Sequence, residues 1–471
     1  MKNSSVDTIA AISTSVGDSG IGIVRLSGKG ALDIAGKIFK SKDGKKPPEY
    51  KTHTIHYGWV IDKAQGVSSK EQVKADNIID EVLLTVMRAP RSFTKEDIVE
   101  INCHAGIVAT RRVLELCLEN NARLAEPGEF TKRAFLNGRI DLAQAEAVLD
   151  VIRAKTDLAL RIGAEQLKGR LSAGLNRIRA DLVEILTSLE ANIDFPEEDI
   201  SLIAGASMKK KLLGAHKAMK ELILGSKKAK IMREGIAAVI CGKPNVGKSS
   251  LLNALLRRER SIVSPVAGTT RDTIEEIIDI QGIPVRIVDT AGILEPRDLI
   301  ERMAVSRSKN QIKNADLVLL LFDNNKKLSK EDRFLMQRLR RKTVIAVVNK
   351  SDLAGRLDKG AICRAFGTII EISAKKMENI NLLEEAISKI FFQGRALTAE
   401  PLWMSNLRHI NKAVQAQKFI ESSLNSLDNS LSPELISEDI KEALYCLDDI
   451  LGLRFSEELL EKIFSEFCIG K

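Results

Sequence analysis

Eight residues constrain this chain more than any others: Gly242-Lys-Pro-Asn-Val-Gly-Lys-Ser249 matches G-x-x-x-x-G-K-[ST]. Glycine-rich backbone of this kind curls so that successive N–H groups face one anion, and the pattern works only between a strand and the N-terminus of a helix. Both flanks comply. Ile236-Ala-Ala-Val-Ile-Cys241 is a short apolar run of buried-strand type, and Ser249-Ser-Leu-Leu-Asn-Ala-Leu-Leu256 has helix composition. The spacing predicts a strand, phosphate loop and helix, with Asn245, Val246, Gly247, Lys248, Ser249 and Ser250 around the phosphates of a nucleotide. Lys248 is expected at the β- and γ-phosphates and the Ser249 hydroxyl on Mg²⁺.

The segments that follow supply the remaining parts in order. Asp289-Thr290-Ala291-Gly292 ends the apolar run Val285–Asp289, which puts a carboxylate beside the metal and a glycine N–H near the γ-phosphate. Between it and the phosphate loop, Gly268-Thr269-Thr270-Arg-Asp272 precedes a β-branched run, Thr273–Ile280, and Thr270 is the candidate second Mg²⁺ ligand. Base choice falls to Asn349-Lys350-Ser-Asp352 after the strand-like Thr343–Val348. The Asp352 carboxylate accepts from both N1–H and the exocyclic amine of guanine, a donor pair that adenine lacks. Ser373-Ala374-Lys375 would close over the base with backbone N–H groups. An isolated N-K-x-D is ordinarily a solvated turn at a strand end; its order after the other two motifs carries the GTP reading. Many GTPases place glutamine directly after the glycine of D-x-x-G to orient the attacking water, and here Ile293 stands in that place. Another group must position the water.

This pattern is similar to the potassium-activated GTPases over residues 236–392, through Asn245 and the run Ser264-Pro265-Val266-Ala267-Gly268-Thr269-Thr270. The resemblance implies a K⁺ held by Asn245, Ser264, Val266 and Thr269, supplying the electrostatic work of an arginine finger. The final Phe467-Cys-Ile-Gly-Lys471 resembles the C-terminal signature of the MnmE (TrmE) tRNA-modification GTPases. Asp7–Ala10, Gly20–Gly28, Ser92–Asp97, Glu100–Gly106 and Pro127–Glu146 extend that likeness over essentially the whole chain. It implies a folate pocket using Arg25, Glu100, Arg139 and Lys471, where basic groups suit the glutamate tail and a carboxylate suits the pterin donors. By residue type alone, Arg25 and Glu100 on separate strands read as solvated partners. Arg139 stands where some members carry Lys, which changes the contact geometry.

The same resemblance gives Glu301, in Asp298–Met303, the task of orienting the water, and places Cys468 near the modification chemistry; a lone cysteine is otherwise most often a buried structural residue. It further implies a homodimer formed through the N-terminal domain and a 5,10-methylene- or 5-formyl-tetrahydrofolate donor. A partner, MnmG, would carry FAD and use NADH within a heterotetramer. Together they would add an aminomethyl or carboxymethylaminomethyl group to C5 of the wobble uridine of certain tRNAs.

With about 100–200 residues per domain, a chain of this length holds several. Residues 1–130 alternate short β-rich runs with helical ones and read as an α+β domain. Residues 131–234 hold long amphipathic helices, such as Leu142–Ile152 and Ile178–Leu186, broken at Pro196. Residues 235–394 form the P-loop, Ras-like G domain with a mostly parallel sheet, and 395–471 are helical again. The predicted fold class is therefore multidomain α/β and α, with the G domain inserted into a helical domain. Aromatic residues make up only 4% of the chain, which favours helix-rich aliphatic cores. No apolar run approaches the ~18 residues of a membrane span, no signal peptide is recognisable, and the six cysteines form no C-x-x-C pair. A cytoplasmic protein without membrane contact is expected.

A net charge of +9 suits a polyanionic partner, although Lys209-Lys-Lys211 and Lys227-Lys-Ala-Lys230 read as solvated helix faces. Two alternatives remain open. A ribosome-assembly GTPase would share the potassium-type G domain and the basic charge, but no RNA-binding signature follows the G domain. In a non-enzymatic scaffold, GTP would only set the shape of a dimer.

Overall fold

The computed structural model describes residues 7–15, 17, 19–62, 78–194, 205–258, 276–289, 312–392 and 404–471. They group into two compact units, Met1–Leu149 with Asp448–Lys471, and Asp150–Leu447.

The first unit is built on seven strands: β1 (Thr8–Ile12), β2 (Gly22–Ser27), β3 (Phe39–Ser41), β4 (Thr54–Ile61), β5 (Ile78–Met87), β6 (Ile98–Cys103) and β7 (Ala122–Leu124). Their order is β3-β4-β5-β6-β2-β1-β7, antiparallel throughout except for the β1–β7 pair. Alternation assigns the faces. Ala10, Val24, Leu26, Val82, Leu84, Val99 and Ile101 point to one side, where α1 (Ala31–Ile38) and α2 (Ile107–Glu119) cover them. On the other side the register sets Ile55 opposite Thr85, Thr85 opposite Glu100 and Glu100 opposite Arg25, a single cross-strand row. Near β1 this second face is sealed by Ile9, Ala11, Ala125 and Phe130. At β4 and β5 it leaves Ile55, Tyr57 and Leu83 exposed.

The C-terminal helix Glu457–Ser465 belongs to this unit. Leu460, Phe464 and the following Phe467 pack with Phe135 of α3 (Glu129–Leu136) and with Leu142, Ala145 and Leu149 of α4 (Leu142–Arg153). The start of α3 is fixed by charge. The side chain of Arg133, only 5% exposed, reaches Asp7, Glu96 and Glu129, and Arg123 binds Asp7 and Glu129 from the other side. Burial pushes the Asp7 and Glu129 carboxyls up, but hydrogen bonds and charge from Arg123 and Arg133 outweigh it, so both sit below their ordinary values.

In the second unit α5 (Asp157–Leu167), α6 (Arg170–Asp194) and α7 (Gly205–Glu234) lie with the helix Leu407–Asp428, which packs along α7. Leu171, Leu175, Ile178, Leu182, Ile185 and Leu189 recur at three- and four-residue spacing and are the buried stripe of α6. The sheet has six strands in the order β13-β12-β11-β8-β10-β9. These are β8 (Ile236–Gly242), β9 (Glu276–Ile280), β10 (Ile283–Asp289), β11 (Leu317–Asp323), β12 (Val344–Asn349) and β13 (Ile369–Glu371). Only the β9–β10 hairpin is antiparallel. The mostly parallel sheet agrees with the sequence expectation, and β11, buried at every residue, shows why its sequence is a continuous apolar run. Helices cover both faces: α8 (Lys248–Arg258) and Ile380–Phe392 on one, Lys330–Leu339 and Lys359–Phe366 on the other.

Leu158 and Ile162 of α5 and Ala229 and Met232 of α7 join the first of these clusters. Thr156 caps α5 by accepting from Ala159 N and donates at 3.1 Å to the carbonyl of Gly282 in the β9–β10 turn. Among the described residues no helix is long and apolar enough to cross a membrane.

Removing Arg133 takes the cation from Glu96 and leaves Asp7 and Glu129 to Arg123 alone, so Arg133→Met should cost unfolding free energy toward the lower end of about 3–5 kcal/mol in denaturant titration. The contribution of Glu129 and Asp7 is complete above about pH 4.5 and is lost as pH falls through their lowered folded values, so the deficit of Arg133→Met should shrink only in that acid range.

Candidate functional site

The phosphate loop joins β8 to α8, as the strand-loop-helix order predicts. Two of its glycines are required by close approach as well as by conformation. Gly247 has φ +99°, and a Cβ there would lie 2.2 Å from Asn349 Nδ2; at Gly242, φ +150°, it would lie 2.7 Å from the carbonyl of Leu321. Asn245 takes a left-handed φ of +62°, which asparagine adopts more readily than most residues. Lys248 Nζ donates to the carbonyls of Gly242 (3.1 Å) and Lys243 (2.9 Å), so the ammonium group lies within the curl of the loop. Lys248, Ser249 and Ser250 open α8, where the positive end of the helix would favour a bound anion. A cradle that a side chain would fill, lined by a lysine and a hydroxyl at a helix start, fits a magnesium-bound triphosphate.

The base-recognition loops are cross-linked to this cradle. Asn349, at the end of β12 and 3% exposed, donates through Nδ2 to the carbonyl of Val246 at 2.9 Å. Its Oδ1 accepts from Lys350 N (2.8 Å) and from Ala374 N (3.1 Å), so one side chain ties three loops together. Lys350 Nζ reaches the carbonyl of Asn245 at 2.9 Å and Asp323 Oδ2 at 2.7 Å. The Ser373 hydroxyl donates to Asp352 Oδ1 at 2.8 Å, and that bond, with the charges of Lys375 and Lys376, holds the Asp352 carboxyl below the usual aspartate range. Asp352 is thus an acceptor at neutral pH, as guanine requires. Asp289 ends β10 with its backbone paired beside Ile240 of β8.

Ser264, Pro265, Val266, Ala267, Gly268, Thr269, Thr270, Thr290, Ala291, Gly292, Ile293 and Glu301 lie outside the described residues.

In the first unit the structure brings together residues that are far apart in sequence. Arg25 Nε donates to Glu100 Oε1 at 2.8 Å, the two being direct neighbours across β2 and β6, and Arg25 Nη1 donates to the carbonyl of Gly470 at 3.3 Å. The C-terminal segment lies against the start of α3. Ile469 bridges Pro127, Phe130 N donates to the carbonyl of Lys471 at 3.1 Å, and Gly470 comes so close to β1 that a Cβ would sit 2.4 Å from the Ile12 carbonyl. Cys468 is exposed at this corner. The guanidinium of Arg25 lies 5.5 Å from the Phe130 ring centroid and that of Arg139 lies 4.8 Å from that of Phe93, which itself packs against the Phe130 cluster. Sequence reasoning did not single out Phe93 and Phe130. In a chain so poor in aromatics their positions, inside Ser92–Asp97 and Pro127–Glu146, were the available signal.

The family described as "MnmE helical domain" matches residues 142–468, and the one described as "GTP-binding protein TrmE N-terminus" matches residues 8–139. The tRNA modification GTPase MnmE of Bacillus subtilis is 44% identical over 99% of this chain and 100% of its own length. That of Bacillus velezensis is 45% identical at the same coverage, and that of Geobacillus thermodenitrificans is 45% identical over 99% of both. The chain belongs to the MnmE family. It is a GTPase, and in this MnmE-family site Lys248, Ser249 and the loop backbone would hold the phosphates and Mg²⁺, with Asp352 and the Ser373–Ala374 turn at the base. The G domain of the T. maritima FeoB iron transporter aligns with 33% of this chain and 97% of its own at 25% identity, with a TM-score of 0.27, too slight a likeness to bear on the fold.

Replacing Asp352 by Asn exchanges an acceptor for a donor. In equilibrium binding, Asp352→Asn should weaken GTP by about 10²–10⁴-fold and improve the binding of xanthosine triphosphate, whose base offers a carbonyl at that edge.

Proposed function

We propose that this chain is a potassium-activated GTPase that, with an FAD- and NADH-dependent partner, MnmG, installs an aminomethyl or carboxymethylaminomethyl group at C5 of the wobble uridine of certain tRNAs. The observation that carries the reading is the corner at which Arg25, Glu100, Cys468 and the Lys471 backbone meet. Strand pairing, a chain terminus and a helix start converge there on a charged pair with one exposed thiol. A tetrahydrofolate donor, as the 5,10-methylene or 5-formyl derivative, suits this corner: Glu100 offers acceptors to a pterin, Arg25, Arg139 and Lys471 offer cations to a glutamate tail, and Phe93 and Phe130 offer faces for a planar ring. When bound, the folate would supply the one-carbon unit; Arg25 and Glu100 would orient it, and Cys468 would act at the exposed edge.

In the G domain, Asn245 is held in its left-handed turn with its carbonyl tied to Lys350, which leaves its side chain to serve a K⁺ together with Ser264, Val266 and Thr269. Potassium placed there would stabilise charge developing between the phosphates, and Glu301 would orient the water in the place where Ile293 offers no polar group. Homodimerisation through the N-terminal sheet is supported by its exposed Ile55, Tyr57 and Leu83, which share a face with Glu100. The four domains would be 1–130, 131–234, 235–394 and 395–471, the second and fourth forming one helical domain around the G domain, in a cytoplasmic enzyme.

Nucleoside mass spectrometry of tRNA from a host lacking its own enzyme, supplied with this chain and its cognate MnmG, tests the reaction. Restored C5-aminomethyl uridines with the parent chain, and none with Cys468→Ser, are expected; restoration by neither would leave a ribosome-assembly GTPase as the better reading. GTP hydrolysis at saturating substrate should be at least about tenfold faster in K⁺ than in Na⁺, and Asn245→Ala should abolish the difference while GDP still binds.

A further inference from the structure

Lys243 is the second residue of the phosphate loop, and its sequence position invites a place on the phosphates beside Lys248. The structure points it elsewhere. Lys243 Nζ lies 2.6 Å from Asp332 Oδ2 and 3.0 Å from Ser329 Oγ, and the two charged side chains are only 15% and 4% exposed. Asp332 in turn closes a capping box at the start of the helix Lys330–Leu339: its Oδ2 accepts from Ser329 N (2.9 Å) and Ser329 Oγ (3.0 Å), and its own N–H donates to Ser329 Oγ (3.3 Å). That carboxylate oxygen therefore receives the lysine and the Ser329 N–H, while the single Ser329 hydroxyl proton is shared between it and Glu331 Oε2, 2.7 Å away. The backbone carbonyl of the same Lys243 accepts from Lys248 Nζ.

We propose that Lys243 is a positioning residue of the nucleotide site: its ion pair with Asp332 clamps the first half of the phosphate loop to the helix Lys330–Leu339 and so sets where the Lys248 ammonium stands. Lys248 takes its place from the carbonyls of Gly242 and Lys243, and the Lys243 carbonyl is placed by a side chain whose charged end is fixed in a low-exposure pocket. Pro244, with its locked φ, transmits that placement to Asn245. The clamp has a counterpart further along the loop, where Lys350 joins the Asn245 carbonyl to Asp323. Both carboxylates lie on one stretch of chain, so the loop is anchored at one point by Asp323 at the end of β11 and at another by Asp332 in the helix that follows it.

The inference rests on the GTPase activity and on neither potassium nor folate. Its test is the dissociation rate of a fluorescent GDP analogue from the full-length chain, measured in both Na⁺ and K⁺, with steady-state GTP hydrolysis alongside. A positioning role and direct phosphate binding predict opposite signs for one variant. If Lys243 only positions the loop, Asp332→Asn and Lys243→Met should each speed GDP release by about tenfold, and the double variant should be no worse than either, because the two act as one unit. KM for GTP should rise and kcat should fall by less than on removal of the Lys248 ammonium itself, and Lys243→Arg should stay within about twofold of the parent in release rate. The same ratios are expected in Na⁺ and K⁺, whatever the potassium response of the parent.

Were Lys243 a phosphate ligand, Asp332→Asn would free its charge and leave GDP release unchanged or slower; that outcome overturns the proposal, as does parental release from both single variants. If Asp332→Asn does not fold, Ser329→Ala, which removes one hydrogen bond from Lys243 together with the side-chain half of the capping box, should still hasten release, and parental release from it overturns the proposal equally.

Discussion

A phosphate-binding loop has to be held rigidly while its N–H groups stay available to the ligand, so its restraints must come from the carbonyl side. This chain meets that demand with three side chains. Lys248 takes the carbonyls of Gly242 and Lys243, Lys350 takes that of Asn245, and Asn349 takes that of Val246. Each of the last two is itself fixed, Lys350 by Asp323 and Asn349 by the N–H groups of Lys350 and Ala374. Phosphate loop and base loops are in consequence one network. The parallel β8, β11 and β12 deliver all of these groups to the same end of the sheet, where ligands of open α/β sheets bind.

A different solution appears in the N-terminal unit, where one face of an antiparallel sheet is packed by helices and the other is divided. Half of that second face is sealed by Phe130 and its aliphatic neighbours; the other half is left with exposed apolar side chains. Arg25 and Glu100 stand at the boundary, paired in register, and the segment Cys468–Lys471, backbone-bonded to the start of α3, accepts from Arg25 through the Gly470 carbonyl. Because Gly470 approaches the β1 backbone so closely, no larger residue fits there without moving one of the two segments. The Asp7, Glu96, Arg123, Glu129 and Arg133 network fixes the start of α3, the helix against which that terminus lies.

Within the second unit, nucleotide chemistry and the helical layer touch through the β9–β10 hairpin. β10 ends at Asp289, and the opposite end of the hairpin rests on α5 through Thr156, Leu158 and Gly282. A shift of β10 along its length therefore meets a capped helix terminus rather than a flexible loop, which gives a packed route from the site into the helices.

In the described part of the G domain, strands and loops were legible in the sequence: the octamer at 242–249, the guanine motif at 349–352 and the apolar runs of β8, β11 and β12 each dictate local structure through short-range rules. Parallel strands buried on both faces announce themselves as unbroken apolar runs, and Gly247 is required by a φ that other residues resist. Tertiary structure alone decided which charges meet. Nothing local pairs Arg25 with Glu100, or gives Arg139 the ring of Phe93, because those contacts depend on strand register and helix placement across a long stretch of chain. Lys243 is the clearest instance. The motif leaves it as an unspecified position, and its charge lies on Asp332, since a buried carboxylate already fixed by a capping box attracts the nearest cation, and only the packing of the helix Lys330–Leu339 beside the loop puts that carboxylate within reach.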